Sequence, residues 1–174
     1  MKKLTLIRHA KSDHASPAFT DFERPLSLRG LRDAPLIGRH LRDHHALAPD
    51  VIIASPALRT LTTARMICKE LGIDESLIQT ERRIYEAPLR FLLDVLRAIP
   101  DSVSHAVMVG HNPGFESLAN WLCGPGTIDQ LPTGGVVMLE LPVERWTDVV
   151  PLGGSLLNYF YPAAIGGGKE AHGG

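Results

Sequence analysis

Short, mostly apolar runs alternate along this chain with longer segments whose apolar residues recur every three or four positions. The runs are Leu4–Ile7, Val51–Ala54 and Ala106–Val109. They are too short for helices and nearly free of polar residues, so they predict strands buried on both faces. Ser55-Pro56 follows the second run, and Ser as cap with Pro at the first helical position predicts a helix to about Leu71. Leu89, Leu92, Leu93, Leu96 and Ile99 make an i, i+3, i+4, i+7 stripe between Pro88 and Pro100, the mark of an amphipathic helix lying on a flat surface. Gly110-His111-Asn112-Pro113-Gly114 leads into another helix through about Cys123. Arg29–His45 also reads as helix, but Pro35 means that it either begins near Ala34 or kinks at the proline.

Beyond Gly134-Gly135 the pattern changes, and Val136–Leu141 and Ser155–Tyr161 predict two closing strands around a loop containing Trp146. Alternating strands and helices predict the α/β class: a three-layer α/β/α sandwich around a mainly parallel, mixed central sheet. One domain over residues 1–162 accounts for all of these elements. Ala163 to Gly174, with Gly166-Gly167-Gly168 inside, predicts a flexible tail.

Composition narrows the function classes. The 174 residues are 44% hydrophobic and 21% charged, with a formal net charge of −1, which speaks against broad nucleic-acid or polybasic membrane binding. Cys68 and Cys123 are far apart, make no metal-ligand spacing and predict reduced packing residues. The apolar stretch after Met1-Lys2-Lys3 is too short for a signal peptide, and no window reaches the length of a membrane span. The expectation is a cytoplasmic protein. His44-His45 could suggest a metal, but sequence neighbours do not share a helix face, and a solvated helix end is the better reading. His14, His40, His105 and His172 read as surface residues, and Trp121 and Trp146 as packing residues.

Chemistry gathers where the three predicted strands end. The first delivers Arg8-His9, the second Ser55 with Arg59 one turn on, and the third Gly110-His111. In open α/β sheets ligands bind at the carboxyl ends of the strands. If the three run parallel, two histidines and two arginines converge, and Arg24 can join from the loop tied down by Pro25. Such a cluster repels itself unless an anion sits in it, and a tetrahedral phosphoryl group suits guanidinium forks and helix N-termini. His9 would then be a nucleophile and Arg8 a phosphate clamp, the neighbouring cations keeping the imidazole neutral.

These residues resemble the histidine phosphatase (phosphoglycerate mutase-like) superfamily. The resemblance rests on Arg8-His9-Ala10, Arg24-Pro25-Leu26-Ser27 to Gly30, Ser55-Pro56-Ala57-Leu58-Arg59-Thr60 and Val109-Gly110-His111-Asn112-Pro113, and with the Gly134-Gly135 strand covers residues 2 to about 162. Arg8-His9-Ala10-Lys11-Ser12 and Gly110-His111-Asn112-Pro113-Gly114 look most like the SixA-type phosphohistidine phosphatases. Ala10 departs from the Gly usual at that place, and Lys11 and Ala15 stand where a sugar-phosphate mutase would carry Glu and Asn.

The resemblance implies a phosphoglycerate mutase-like fold and a phosphoryl group carried on His9 until water removes it. Arg8, Arg59 and His111 would hold the phosphoryl oxygens, with Arg24 and Asn112 assisting, and no metal or other cofactor is called for. Glu86, just before a helix, is the best placed carboxylate for a general acid, although a Glu there can also simply complement the helix dipole. Three function classes follow. They are a phosphatase of a phosphohistidine-bearing protein, such as a phosphotransfer domain or a phosphotransferase-system carrier, a phosphatase of small phosphate esters, and an inactive phosphate-binding module. Short connections predict an open pocket that favours the protein substrate.

Overall fold

The computed structural model describes residues 1–14, 17 and 19–166. Among the described residues six strands form one sheet in the order β3-β2-β4-β1-β5-β6: β1 Lys2–Arg8, β2 Val51–Ala54, β3 Ile78–Thr80, β4 His105–Gly110, β5 Val136–Leu141 and β6 Ser155–Phe160. The first four strands of that order are mutually parallel, while β5 runs antiparallel to β1 and β6 antiparallel to β5. The sheet is covered by the helices α1 Leu28–His45, α2 Leu58–Leu71, α3 Leu89–Arg97 and α4 Gly114–Cys123.

The period-two alternation of strand side chains sorts the core into two layers. Leu4, Leu6, Val51, Ile53, Ala106 and Met108 face one way, onto Leu92 and Leu96 of α3 and Phe115 and Leu118 of α4. Ile7, Ile52, Ala54, Val107 and Val109 face the other way, onto Ile37 and Leu41 of α1 and Ala64 and Ile67 of α2. The arrangement is the three-layer sandwich expected. Trp146, fully buried in a short 3-10 turn, closes the first layer and donates its indole N–H to Val103 O at 2.9 Å. Among the described residues no helix is long and apolar enough to cross a membrane.

Several local expectations are corrected. Helix α1 starts at Leu28 and runs through Pro35, its first turn capped by the Ser27 side chain, which accepts from Gly30 N. Helix α2 begins two residues later than Ser55-Pro56 suggested: Ala57 is its cap, and the Ser55 hydroxyl is used elsewhere. The three-residue strand β3 shows no apolar run, because two of its residues, Gln79 and Thr80, are polar and it lies at the sheet edge. The predicted tail begins with order, since Pro162–Ile165 form a 3-10 turn. Residues 167–174, including His172, lie outside the described residues. His105 is not a free surface residue, because its Nε2 lies 2.8 Å from Thr5 Oγ1 across the parallel pair β1–β4. Nor is His40, whose ring lies 4.5 Å from that of Phe160 and 4.5 Å from that of His44. Cys68 and Cys123 are free thiols, the first buried and the second half-buried.

Register decides what the sheet presents at its carboxyl edge. Arg8 pairs with Gly110, and both Ile7 and Ala54 pair with Val109. Hence His9, Ser55 and His111 leave neighbouring strands at one level. Beyond His9 the chain runs antiparallel to residues 24–27, with an isolated bridge Ser12↔Leu26, Asp13 N donating to Pro25 O at 2.8 Å and Ser27 N to Lys11 O at 2.9 Å. This pairing needs Gly30, because a Cβ there would lie 2.1 Å from the Lys11 carbonyl oxygen. Gly30→Ala must therefore push helix α1 away from the Lys11 segment. The expected loss is about 3 kcal/mol, or roughly 6–12 °C in Tm for a chain of this size, read by thermal denaturation.

Candidate active site

His9 follows directly on β1, with its backbone N–H donating to Gly110 O at 3.0 Å and its carbonyl accepting from Gly134 N at 2.9 Å. Two neighbouring segments thus hold its backbone. Its Nδ1 lies 2.7 Å from the Ala10 carbonyl. A carbonyl can only accept, so the proton sits on Nδ1, and Nε2 keeps its lone pair. Burial, aided by Arg59, Arg8 and Arg24 nearby, pushes the His9 pKa down to about 4, against a smaller raising effect of the Ala10 bond. The residue after it fits without glycine: Ala10 is fully buried and is not among the positive-φ residues.

His111 sits beside it, the two ring centroids 5.4 Å apart. Its Nε2 is 2.8 Å from Ser55 Oγ. Its Nδ1 is 3.4 Å from Arg59 Nη2 and 3.5 Å from Glu86 Oε1. Burial, with His9 and Arg59 close by, takes its pKa down to about 3. Both imidazoles are neutral near pH 7.

The arginines stay charged, and carboxylates and carbonyls hold them. Arg59, 1% exposed, donates to Asp21 O at 2.6 Å, to Asp21 Oδ2 at 3.2 Å and to Glu86 Oε1 at 2.9 Å. Arg24 donates to Asp21 Oδ1 at 2.5 Å and to Ser12 Oγ at 3.3 Å. Asp21 also accepts from the Tyr85 hydroxyl, and these bonds, Tyr85 first, hold its pKa down at about 2. Arg8 donates to Leu131 O at 2.8 Å. The Nε atoms of Arg8 and Arg59 are buried with no hydrogen-bond partner among the described residues. Buried unpaired donors on cations are costly, and a bound anion would satisfy them.

These groups line one cleft of about 170 Å³, with Arg8, His9, Arg59 and His111 inside and Lys11, His14 and Glu86 exposed at the rim. Glu86 has φ 50°, an uncommon left-handed backbone for a non-glycine residue, and lies in the turn before α3. The seven residues singled out from the sequence therefore converge. Asn112 lines the cleft differently from expectation: its amide donates to Glu116 Oε2 at 2.6 Å and to Leu131 O at 3.0 Å, and its oxygen accepts from Glu116 N at 3.2 Å. Its amide hydrogens are committed to Glu116 of α4 and to the Leu131 carbonyl, so Asn112 offers no free donor to an anion. Sequence reasoning missed Asp21, Ser12 and Tyr85. Their roles rest on contacts with Arg24 and Arg59, and no spacing announces those. Among the described residues no group of three His, Cys, Asp or Glu could hold a metal ion.

Comparison with known proteins gives this cleft a lineage. Residues 4–89 match the model of the histidine phosphatase superfamily, branch 1. An uncharacterised protein of Mycobacterium tuberculosis is 31% identical over 165 residues, spanning 90% of this chain and 99% of its own length. Among solved structures, a candidate phosphohistidine phosphatase SixA from Agrobacterium tumefaciens superposes with a TM-score of 0.78 at 26% identity, covering 92% of this chain and 98% of that one. The protein histidine phosphatase SixA complexed with tungstate shares the fold at a TM-score of 0.79 and 18% identity, over 94% of this chain and 99% of that one. With matching sequence model, matching sandwich and histidines and arginines gathered at the sheet edge, the chain belongs to branch 1 of the histidine phosphatase superfamily and is a phosphatase.

Proposed function

We propose that this phosphatase hydrolyses phosphohistidine on a partner protein by way of a phosphoryl group carried on His9. One observation carries the mechanism: a buried, neutral imidazole with Nδ1 tied to a carbonyl and its Nε2 lone pair free, set among three guanidiniums. Nε2 attacks phosphorus, the new P–N bond forms as the bond to the substrate ring breaks, and that ring, already protonated on its other nitrogen, leaves as neutral imidazole. Water then attacks phospho-His9, releasing inorganic phosphate and restoring the neutral ring. Arg8, Arg59 and Arg24 stabilise charge on the phosphoryl oxygens in a loose transition state, the task that dominates phosphoryl transfer. The Nε donors of Arg8 and Arg59 are the buried atoms that such oxygens would satisfy.

The substrate class is supported by the A. tumefaciens relative, designated a candidate phosphohistidine phosphatase, and by the nature of the leaving group. Imidazole departs easily, so strong general acid help is unnecessary. Glu86 keeps a second reading in view, because a carboxylate at the cleft rim, 2.9 Å from Arg59 Nη2, is what an alkoxide leaving group would require.

His9→Ala should abolish turnover with the fold intact, and wild type quenched without acid soon after mixing with labelled substrate should carry acid-labile phosphate. Appreciable turnover by the alanine variant would sink the nucleophile assignment. Glu86→Gln separates the substrate classes. It should slow a phosphohistidine protein only slightly, whereas an alkyl ester should lose much of the ~10²–10⁴-fold that general acid help supplies. Inactivity of wild type on phosphohistidine, with robust ester turnover and a severe Glu86→Gln defect, would favour small esters.

The neutral histidines also set a pH dependence of stability. A histidine with a folded pKa of about 4 binds fewer protons than its unfolded counterpart at 6.5. Stability is therefore full above pH 6.5 and is lost as pH falls from there toward 4. At pH 5 the loss is about 2 kcal/mol for His9. Denaturant melts at pH 7.5 and 5 should show a smaller acid loss in His9→Asn than in wild type, by about that amount.

A further inference from the structure

Ser55 was expected to cap a helix, yet its hydroxyl is fully buried and lies 2.8 Å from His111 Nε2. A hydroxyl has one hydrogen and two lone pairs. Ser55 Oγ already accepts from Ala57 N at 3.3 Å. If His111 Nε2 carried the proton, Ser55 would accept twice, and its own hydrogen would lack an acceptor among the described residues. If instead the hydroxyl donates to Nε2, every group is satisfied, and the imidazole proton must sit on Nδ1.

On the other side of the ring the contacts are weaker, and the Ser55 bond carries the assignment. Arg59 Nη2 is 3.4 Å from His111 Nδ1 and would be its donor. That nitrogen has two hydrogens, and Asp21 Oδ2 at 3.2 Å and Glu86 Oε1 at 2.9 Å accept them. Both carboxylate contacts are shorter than the 3.4 Å approach to Nδ1, so at most a shared hydrogen of Arg59 reaches that nitrogen. Glu86 Oε1 lies 3.5 Å from Nδ1, too far for a good hydrogen bond, which leaves an Nδ1–H available to an oxygen in the cleft. His111 is neutral near pH 7, so it cannot donate from both nitrogens and its tautomer matters.

We propose that Ser55 is a positioning residue: by donating to His111 Nε2 it fixes the proton on Nδ1, so a donor rather than a lone pair faces a phosphoryl oxygen in the cleft. The hydrogen bond stands on geometry alone, and its catalytic consequence rests on the phosphatase mechanism proposed above. With the other tautomer, the Nδ1 lone pair would meet phosphoryl oxygens and repel them. The first residue after β2 thus acts on chemistry through the last strand of the parallel set.

Long-range ¹H–¹⁵N correlations of the histidine side chains read the tautomer directly, with the His111 signals assigned by their absence in His111→Gln. Wild type should show the proton on Nδ1. Ser55→Ala should move it to Nε2 or to an exchanging mixture. On a phosphohistidine protein kcat should fall ~10–100-fold, less than the ~10²–10³-fold cost of deleting an oxyanion donor, with KM changed much less. A wild-type proton on Nε2 overturns the proposal without any variant. So does Ser55→Ala with the proton still on Nδ1, or with the proton moved and kcat unchanged. Wild type inactive on phosphohistidine and ester alike would defeat the phosphatase mechanism, while the spectrum would still decide the Ser55 bond.

Discussion

The guanidinium of Arg59, 1% exposed, is the constraint around which the functional end of this protein is built. A buried cation is tolerated only with close, well-aligned acceptors. Asp21 supplies a carbonyl and a carboxylate oxygen, and Glu86 supplies another carboxylate oxygen. Satisfying one side chain on α2 therefore fixes the 20–26 loop and the turn before α3, two segments outside the sheet edge. Asp21 extends the arrangement to Arg24 and Tyr85, and the Tyr85 ring packs edge-on against both Phe22 and His111.

The same burial acts oppositely on arginine and histidine. Arginine cannot give up its proton in a protein and needs carboxylate partners, whereas histidine yields its proton and becomes a neutral nucleophile or a one-sided donor. Desolvation and the neighbouring cations push both imidazoles toward the uncharged form. A site dense in basic residues thereby keeps its fixed positive charge on Arg8, Arg24 and Arg59, with Lys11 at the rim, and the half-exposed carboxylates of Asp21 and Glu86 offset part of it. An arriving phosphoryl group meets donors it can use without first displacing a proton.

Rigidity comes from the sheet. Main-chain bonds of His9 to Gly110 and Gly134 and of Ser55 to Val109 lock the three strand ends to one another. Positioning at a strand end is more exact than positioning on a free loop. By contrast, Arg24 and Glu86 come from connections and are aligned by their ion pairs instead.

The chain by itself determined the alternating elements, the two-faced burial of the central strands, and the placement of Arg8, His9, Arg59 and His111 at their carboxyl ends. Those follow from local periodicity and from the rule that parallel strands present their ends together. Only the tertiary structure decided what Ser55, Asp21 and Asn112 do. Ser55-Pro56 carries a strong helix-start signal, but the hydroxyl finds a buried imidazole 56 residues away in sequence and serves it instead of the helix. Asp21 reads as an ordinary loop carboxylate until Arg59, 38 residues on, is folded against it. Asn112 sits in the motif that suggested phosphate contact, yet its amide closes the loop onto Glu116 and Leu131. Periodicity records which side of an element is buried. The partner of a buried polar atom is set by which distant segment also needs a donor or acceptor at that point, and no local pattern encodes that.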